Sequence, residues 1–215
     1  MKSIVKDLTH ERILNAAESL FALHGYDGAT MRQITEKAAV NLSAVNYHFD
    51  TKEKLYAETF TRIIRPLNAE RLTILTQAEL LAGDHPVPLP AILESFIRPT
   101  FMLAAGRPQF LALMSRNFSA PPPFMREIMA AEFSAISQRY IRALQHALPG
   151  VPPMELFWRM FYTVGALLFT AAHRETMALL SHGAIQSPDT ESIIRRLVDY
   201  ASAAMCAPRR EPAMS

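Results

Sequence analysis

Cysteine, glycine and charge of one sign are all scarce in this sequence, and each scarcity excludes something. A single cysteine, Cys206, forbids an internal disulfide framework and any multi-cysteine metal site, which fits a reducing cytoplasm. The seven glycines are scattered, so the C-terminal half carries no glycine-rich phosphate loop. Twenty-two Lys/Arg against twenty Asp/Glu leave a net charge of only +2, and residues 1–65 hold nine basic against eight acidic side chains. Basic character therefore carries no nucleic-acid assignment here, and a motif must do so. The longest uncharged apolar stretch, Met160–Ala172, has 13 residues, short of the roughly 20 that cross a bilayer. The opening Met1-Lys-Ser-Ile-Val-Lys-Asp turns polar too early for a signal peptide. The expectation is a soluble, cytoplasmic protein with no membrane partner.

What is present is helical patterning. None of the 15 prolines precedes Pro66, and most later ones cluster at 86–90, 121–123 and 149–153. Between these breaks apolar residues recur at i, i+3 and i+4, with no period-2 alternation and no internal repeat. The chain reads as all-α, with about nine helices. The first covers about 9–24, with Ile13, Ala17, Leu20 and Phe21 on one face and Gly25 as its left-handed stop. Thr30-Met-Arg-Gln33 is a capping box for a short helix ending near Ala38, and Asn41 caps a third over Leu42–His48. Asp50-Thr-Lys-Glu53 reads as the cap of a fourth that passes Pro66, with a kink there, to about Leu81. Further helices are expected near 89–105, 108–118, 123–148, 153–181 and 189–206.

The second and third helices, separated by about three residues, have the spacing of a helix-turn-helix. Val45 and Phe49 face inward in this reading. Ser43, Ala44 and Tyr47 then face outward, flanked by Asn46 and His48, with Lys52 and Lys54 following at a helix start suited to phosphates. Arg32 and Gln33 join this candidate DNA-facing set. By itself a helical hairpin of this spacing also fits a non-DNA interaction module.

The run Arg12-Ile-Leu-Asn-Ala-Ala-Glu-Ser-Leu-Phe21, then Gly25-Tyr26, Thr30, Ile34, Ala38-Ala-Val40, Tyr47-His-Phe49 and Lys52-Glu-Lys-Leu55, resembles the TetR-family DNA-binding domain. The resemblance implies a helix-turn-helix domain over 1–60, with its motif at about 31–50. A ligand-binding and dimerisation domain over 61–215 would follow. It implies double-stranded operator DNA as partner. Thr30, Tyr47, His48 and Lys52 would hold phosphates, while Leu42, Ser43, Ala44 and Asn46 face bases. The chain departs from the family at Ala39, where glycine is usual and a left-handed alanine costs about 1 kcal/mol. It departs again at Ala44, which removes a hydroxyl, and at Asn46, whose amide suits bidentate reading of adenine.

Beyond residue 89 there is no paired-histidine motif and no nucleophile beside a His/Asp partner. No catalytic residue, metal site or cofactor is read, and His146, His173 and His182 read as structural. Bulky apolar side chains are abundant instead. Phe96, Met102, Phe110, Met114, Phe118, Phe133, Trp158, Phe161, Tyr162 and Phe169 are the candidate lining of an apolar ligand pocket, the alternative being plain core. The segment 153–181 is apolar nearly all round, and 189–206 carries Ile193, Ile194, Leu197, Val198, Ala201 and Met205. Both helices are expected in a homodimeric four-helix bundle. Asn41-Leu-Ser-Ala-Val-Asn-Tyr-His-Phe49 with Val151-Pro-Pro-Met-Glu-Leu-Phe-Trp-Arg159 resembles the fatty-acid-responsive PsrA-type branch of TetR repressors. That implies a long-chain fatty acid or its CoA thioester as effector, with Arg98, Arg116 or Arg159 near its acidic head. For Arg159 an i,i+4 ion pair with Glu155 competes. The other readings are a multidrug sensor of the same fold and a helical lipid-acting enzyme.

Overall fold

Side chains at three positions decide where helices begin. Thr30, Asn41 and Asp189 lie in extended backbone, and each accepts a hydrogen bond from the N–H three residues on: Gln33 at 3.2 Å, Ala44 at 2.8 Å and Ser192 at 2.8 Å. The structure is a computed structural model, and it describes residues 2–182, 184 and 189–208. Among the described residues there are ten helices and no strand. They are α1 (Lys2–Gly28), α2 (Met31–Ala38), α3 (Leu42–Phe49), α4 (Lys52–Ala82), α5 (Leu89–Gly106), α6 (Pro108–Ser119), α7 (Met125–Ala147), α8 (Pro153–Ala172), α9 (Arg174–Leu180) and α10 (Thr190–Cys206). The all-α expectation holds.

Three boundaries differ from expectation. The segment 153–181 is two helices, because His173 leaves helical geometry (φ −119°, ψ 34°) and its Nδ1 lies 2.9 Å from the Phe169 carbonyl. A ring nitrogen there competes for the helix's last acceptors. The cap of α4 is Thr51 rather than Asp50: the Thr51 hydroxyl accepts the Lys54 N–H at 3.2 Å. Asp50 is instead the centre of a γ-turn, with φ 62° and ψ −57° and a 2.6 Å bond from the Thr51 N–H to the Phe49 carbonyl. Finally, α1 resumes for one more short stretch beyond Gly25, whose φ of 73° interrupts it.

The chain divides into two compact units. The first comprises Met1–Ala69 and Leu103–Ala135. Its apolar interior includes Ile13, Ala17, Phe21, Ile34, Val45, Phe49, Leu55 and Phe60, all essentially inaccessible. α1 lies against both α2 and α6. Arg62 of α4 pins α1 with bonds to Glu11 at 2.8 Å, Asn15 at 3.0 Å and the buried Glu18 at 2.7 Å.

The second unit comprises Glu70–Met102 and Ile136–Ser215. α8 buries Leu156, Arg159, Met160, Thr163, Leu167 and Ala171, and lies against α10, which buries the six apolar residues anticipated for it. The Arg159 guanidinium bonds Glu155 at 2.8 Å, as the i,i+4 reading anticipated, and also donates to the Met205 carbonyl at 2.5 Å. Arg98 is held by Glu94 and Glu191, each at 2.6 Å. Deep in this unit the Arg71 guanidinium donates to the Phe96 carbonyl at 3.1 Å and to the Thr100 hydroxyl at 2.7 Å. It also lies 3.8 Å from the Phe96 ring. Burial lowers its pKa to about 10.

Candidate nucleic-acid interface

The helix-turn-helix is built from α2, a three-residue turn and α3. Thr30 and Gln33 close a complete capping box: the Gln33 amide oxygen accepts both the Thr30 N–H and its hydroxyl at 2.8 Å. In the turn, Ala39 adopts left-handed geometry (φ 51°, ψ 51°), and its N–H reaches the Glu36 carbonyl at 3.2 Å. The glycine-like conformation expected of this alanine is therefore present. A residue the sequence did not point to supports it: Arg12 of α1 donates to the carbonyls of Ala38 at 2.6 Å and Ala39 at 2.8 Å.

α3 follows with its burial pattern dictated by period. Val45 and Phe49 are buried, while Leu42 is 51 % and Tyr47 72 % exposed, with Ser43 and Asn46 also exposed and Ala44 half-buried. The outward face thus carries short or neutral groups, which lets a duplex backbone approach closely. The Tyr47 ring stands edge-on to His48 at 5.3 Å, and the half-buried His48 neighbours His10 at 5.5 Å. His10 stacks on Phe49 and reaches Glu58 at 2.8 Å.

At the start of α4 the Lys52 ammonium sits 4.4 Å from the centre of the Tyr26 ring. The Tyr26 hydroxyl donates to Glu53 at 2.6 Å. Burial and that carboxylate push the Tyr26 phenol well up, while the same bond holds Glu53 below the usual carboxylate range. Lys54 is taken by Asp50 at 2.7 Å and Arg32 by Glu36 at 2.9 Å. The ten candidate DNA-facing residues therefore lie together on α2, α3 and the first turn of α4. Arg32, Gln33 and Thr30 have intramolecular partners of their own.

The ten candidate pocket residues are divided between the two units. Phe110 and Met114 are buried one turn apart on α6, and Phe118 and Phe133 meet at 5.6 Å in the same unit. Phe96 is buried and Met102 exposed in the second unit. Trp158, Phe161, Tyr162 and Phe169 stand outward on α8, each close to half exposed or more, and of the four Tyr162 lines an open cleft of about 420 Å³ with Arg159 and Tyr200. Their helix buries its other face against α10, and an aromatic at helical spacing records only that some face is apolar. Arg116 belongs to the first unit, where it donates to the Ala22 and Leu23 carbonyls, whereas α8 belongs to the second. Among the described residues no cluster of His, Cys, Asp or Glu is arranged to hold a metal, and no helix is long and apolar enough to cross a membrane.

Residues 13–59 match the family model described as bacterial regulatory proteins, tetR family. Residues 94–204, about half of the chain, match the tetracyclin repressor-like C-terminal domain. The chain is 42 % identical over 48 residues to the HTH-type transcriptional repressor AcnR of Corynebacterium efficiens, covering 22 % of this chain and 26 % of AcnR. It is 28 % identical over 128 residues to the HTH-type transcriptional regulator RutR of Escherichia coli K12, covering 58 % of this chain and 54 % of RutR. The match thus spans about a quarter of AcnR and about half of RutR. The crystal structure of the fatty acid degradation regulator FadR from Bacillus halodurans superposes with a TM-score of 0.69 at 11 % identity, covering 94 % of this chain and 97 % of that one. At that identity the likeness is one of fold.

Proposed function

Because the chain belongs to the TetR family of bacterial transcriptional regulators, we propose that it is a ligand-responsive repressor that binds operator DNA as a homodimer. The matched families are regulators rather than enzymes. The observation that carries the reading is α3 itself, anchored by Val45 and Phe49 and presenting a face free of long acidic chains. In this reading Leu42, Ser43, Ala44 and Asn46 meet base edges, while Thr30, Tyr47, His48 and Lys52 lie along the phosphates, flanked by Arg32 and Gln33. A gel shift on DNA upstream of the protein's own gene tests it. Tyr47→Ala is expected to weaken binding at least about tenfold, and an unchanged shift rejects the reading in favour of a module that does not bind DNA.

The dimer is assigned to α8 and α10. Met154, Phe157, Trp158, Phe161, Tyr162 and Phe169 form an outward apolar stripe on α8, with Tyr200 exposed on α10. Gly165 sits in that stripe with open space where a side chain would stand, so a second helix can approach closely. Two copies of the reading helix would then meet successive major grooves.

The effector is assigned as a long-chain fatty acid or its CoA thioester. The strings at 41–49 and 151–159 support this class, and the resemblance to FadR adds only a shared fold. Phe110 and Met114 are the first candidates for its lining. They lie on α6, which is packed against α1, so a ligand there reaches the DNA-binding helices through one interface. Effector binding favours a spacing of the two reading helices that no longer fits the operator, and by reciprocity the operator weakens effector binding by the same factor. Native mass spectrometry of the purified protein is expected to find bound acyl chains; a co-purifying cationic drug-like molecule would replace this effector class.

A further inference from the structure

The first unit holds a cleft of about 800 Å³ that the readings above do not use. Its size is that of a small-molecule site. One wall is the end of α1 from His24 to Asp27, the opposite wall is the last turn of α6, and prolines 121–123 form the rim. Its lining includes two tyrosines, Tyr26 and Tyr56, whose rings meet edge-to-face at 5.3 Å.

Two guanidinium groups face this space against one lining carboxylate, Asp27. Arg116 spends Nε on the Ala22 carbonyl at 3.2 Å and Nη2 on the Leu23 carbonyl at 3.0 Å. Its third nitrogen, Nη1, lies 3.2 Å from where a Cβ on Gly25 would stand, so the absent side chain leaves that nitrogen its room. Arg126, exposed near the start of α7, pairs with no described acidic residue. Tyrosine rings set edge-to-face beside two guanidinium donors are the chemistry that holds a carboxylate carried on an aromatic body.

The geometry points to this cleft as a binding site for a small organic acid with a flat apolar body, its carboxylate bridging Arg116 and Arg126. The site is separate from the fatty-acyl effector proposed above. It also has a consequence for α1. The Arg116 bonds to Ala22 and Leu23 tie α6 to the last turns of the helix against which α2 and α3 pack, and a carboxylate that draws this guanidinium toward Arg126 pulls against those bonds. Occupancy therefore loosens α1 and lowers operator affinity. That consequence rests on the DNA-binding reading, whereas binding itself does not.

The test is isothermal titration of the full-length protein with 2-naphthoate, and with neutral 2-naphthamide beside it. The acid is expected to bind and the amide to bind about tenfold more weakly or less, as loss of a charge-assisted hydrogen bond implies. Arg126→Ala is expected to weaken the acid about tenfold. Ser119→Trp, which fills the cleft from its exposed α6 wall, is expected to abolish binding while circular dichroism and melting stay unchanged. No binding of 2-naphthoate, equal binding of the amide, or binding indifferent to either substitution overturns the site. A gel shift with and without saturating 2-naphthoate then reads the coupling separately, and an unchanged shift removes the coupling while leaving the site.

Discussion

Arg12 of α1 holds the left-handed Ala39 by both its own carbonyl, at 2.8 Å, and that of Ala38, at 2.6 Å. The relationship explains how a turn that favours glycine is made with alanine. A non-glycine residue at φ 51° is strained by roughly 1–2 kcal/mol, and two charge-assisted bonds of about 1.5–3 kcal/mol each offset it. Because the two carbonyls join α2 to α3, the same bonds orient the reading helix relative to α1.

Ala39→Gly is expected to raise stability by about 0.5–1 kcal/mol, the relief of strain less the extra entropy of the unfolded glycine. Urea denaturation measures it. Arg12→Ala should act oppositely and weaken operator binding as well, whereas a change in stability without a change in gel shift would limit Arg12 to the fold.

Asn46 and Lys52 are expected to separate by their salt and sequence dependence. Asn46→Ala should cost about 1–3 kcal/mol on the best operator and relax preference at one base pair. Lys52→Ala should weaken all sequences alike and reduce the slope of log affinity against log salt by about one. Fluorescence anisotropy at several salt concentrations distinguishes the two; identical behaviour of the variants refutes the assignment.

Arg62→Ala takes the 2.7 Å partner from the buried Glu18 and leaves it only Arg107, 3.8 Å away. Loss of about 3 kcal/mol is expected from breaking a buried pair, read as a lower urea midpoint. Glu18→Gln in the same background should recover part of the loss, since it removes a buried charge that the more distant Arg107 compensates only weakly.

Acid should expose the Tyr26–Glu53 bond. The Glu53 carboxyl titrates below its usual range in the folded state because Tyr26 donates to it. A carboxyl with a depressed folded pKa contributes stability above its ordinary pKa, and that contribution is lost as pH falls through the folded value. Tyr26→Phe should therefore flatten the loss of stability below about pH 4, where unfolded glutamate protonates. Superimposable acid limbs for the two proteins would show the bond to be energetically silent.

Phe161→Glu on the outward face of α8 is expected to raise the dimer dissociation constant more than about a hundredfold, as loss of an interface hot spot does. Analytical ultracentrifugation reads the oligomeric state and circular dichroism the fold. A variant that stays dimeric places the interface elsewhere.

The sequence by itself determined what depends on short-range stereochemistry. Caps at Thr30 and Asn41, the left-handed Ala39 and the inward pair Val45 and Phe49 are local events, decided within three or four residues, and all were legible from residue type and spacing. The i,i+4 pair of Arg159 with Glu155 belongs with them. Only tertiary structure decided matters that join distant segments. Arg12 could not be seen clamping a turn 26 residues away, because nothing local requires it. Nor could counting aromatics separate Phe110, buried on α6, from Trp158 and Phe161, exposed on α8: periodicity marks an apolar face without naming what covers it. The cleft beside Gly25 belongs to the same class, since a left-handed glycine reads as a stop signal in sequence. The room it leaves for Arg116 exists only once α6 lies against α1.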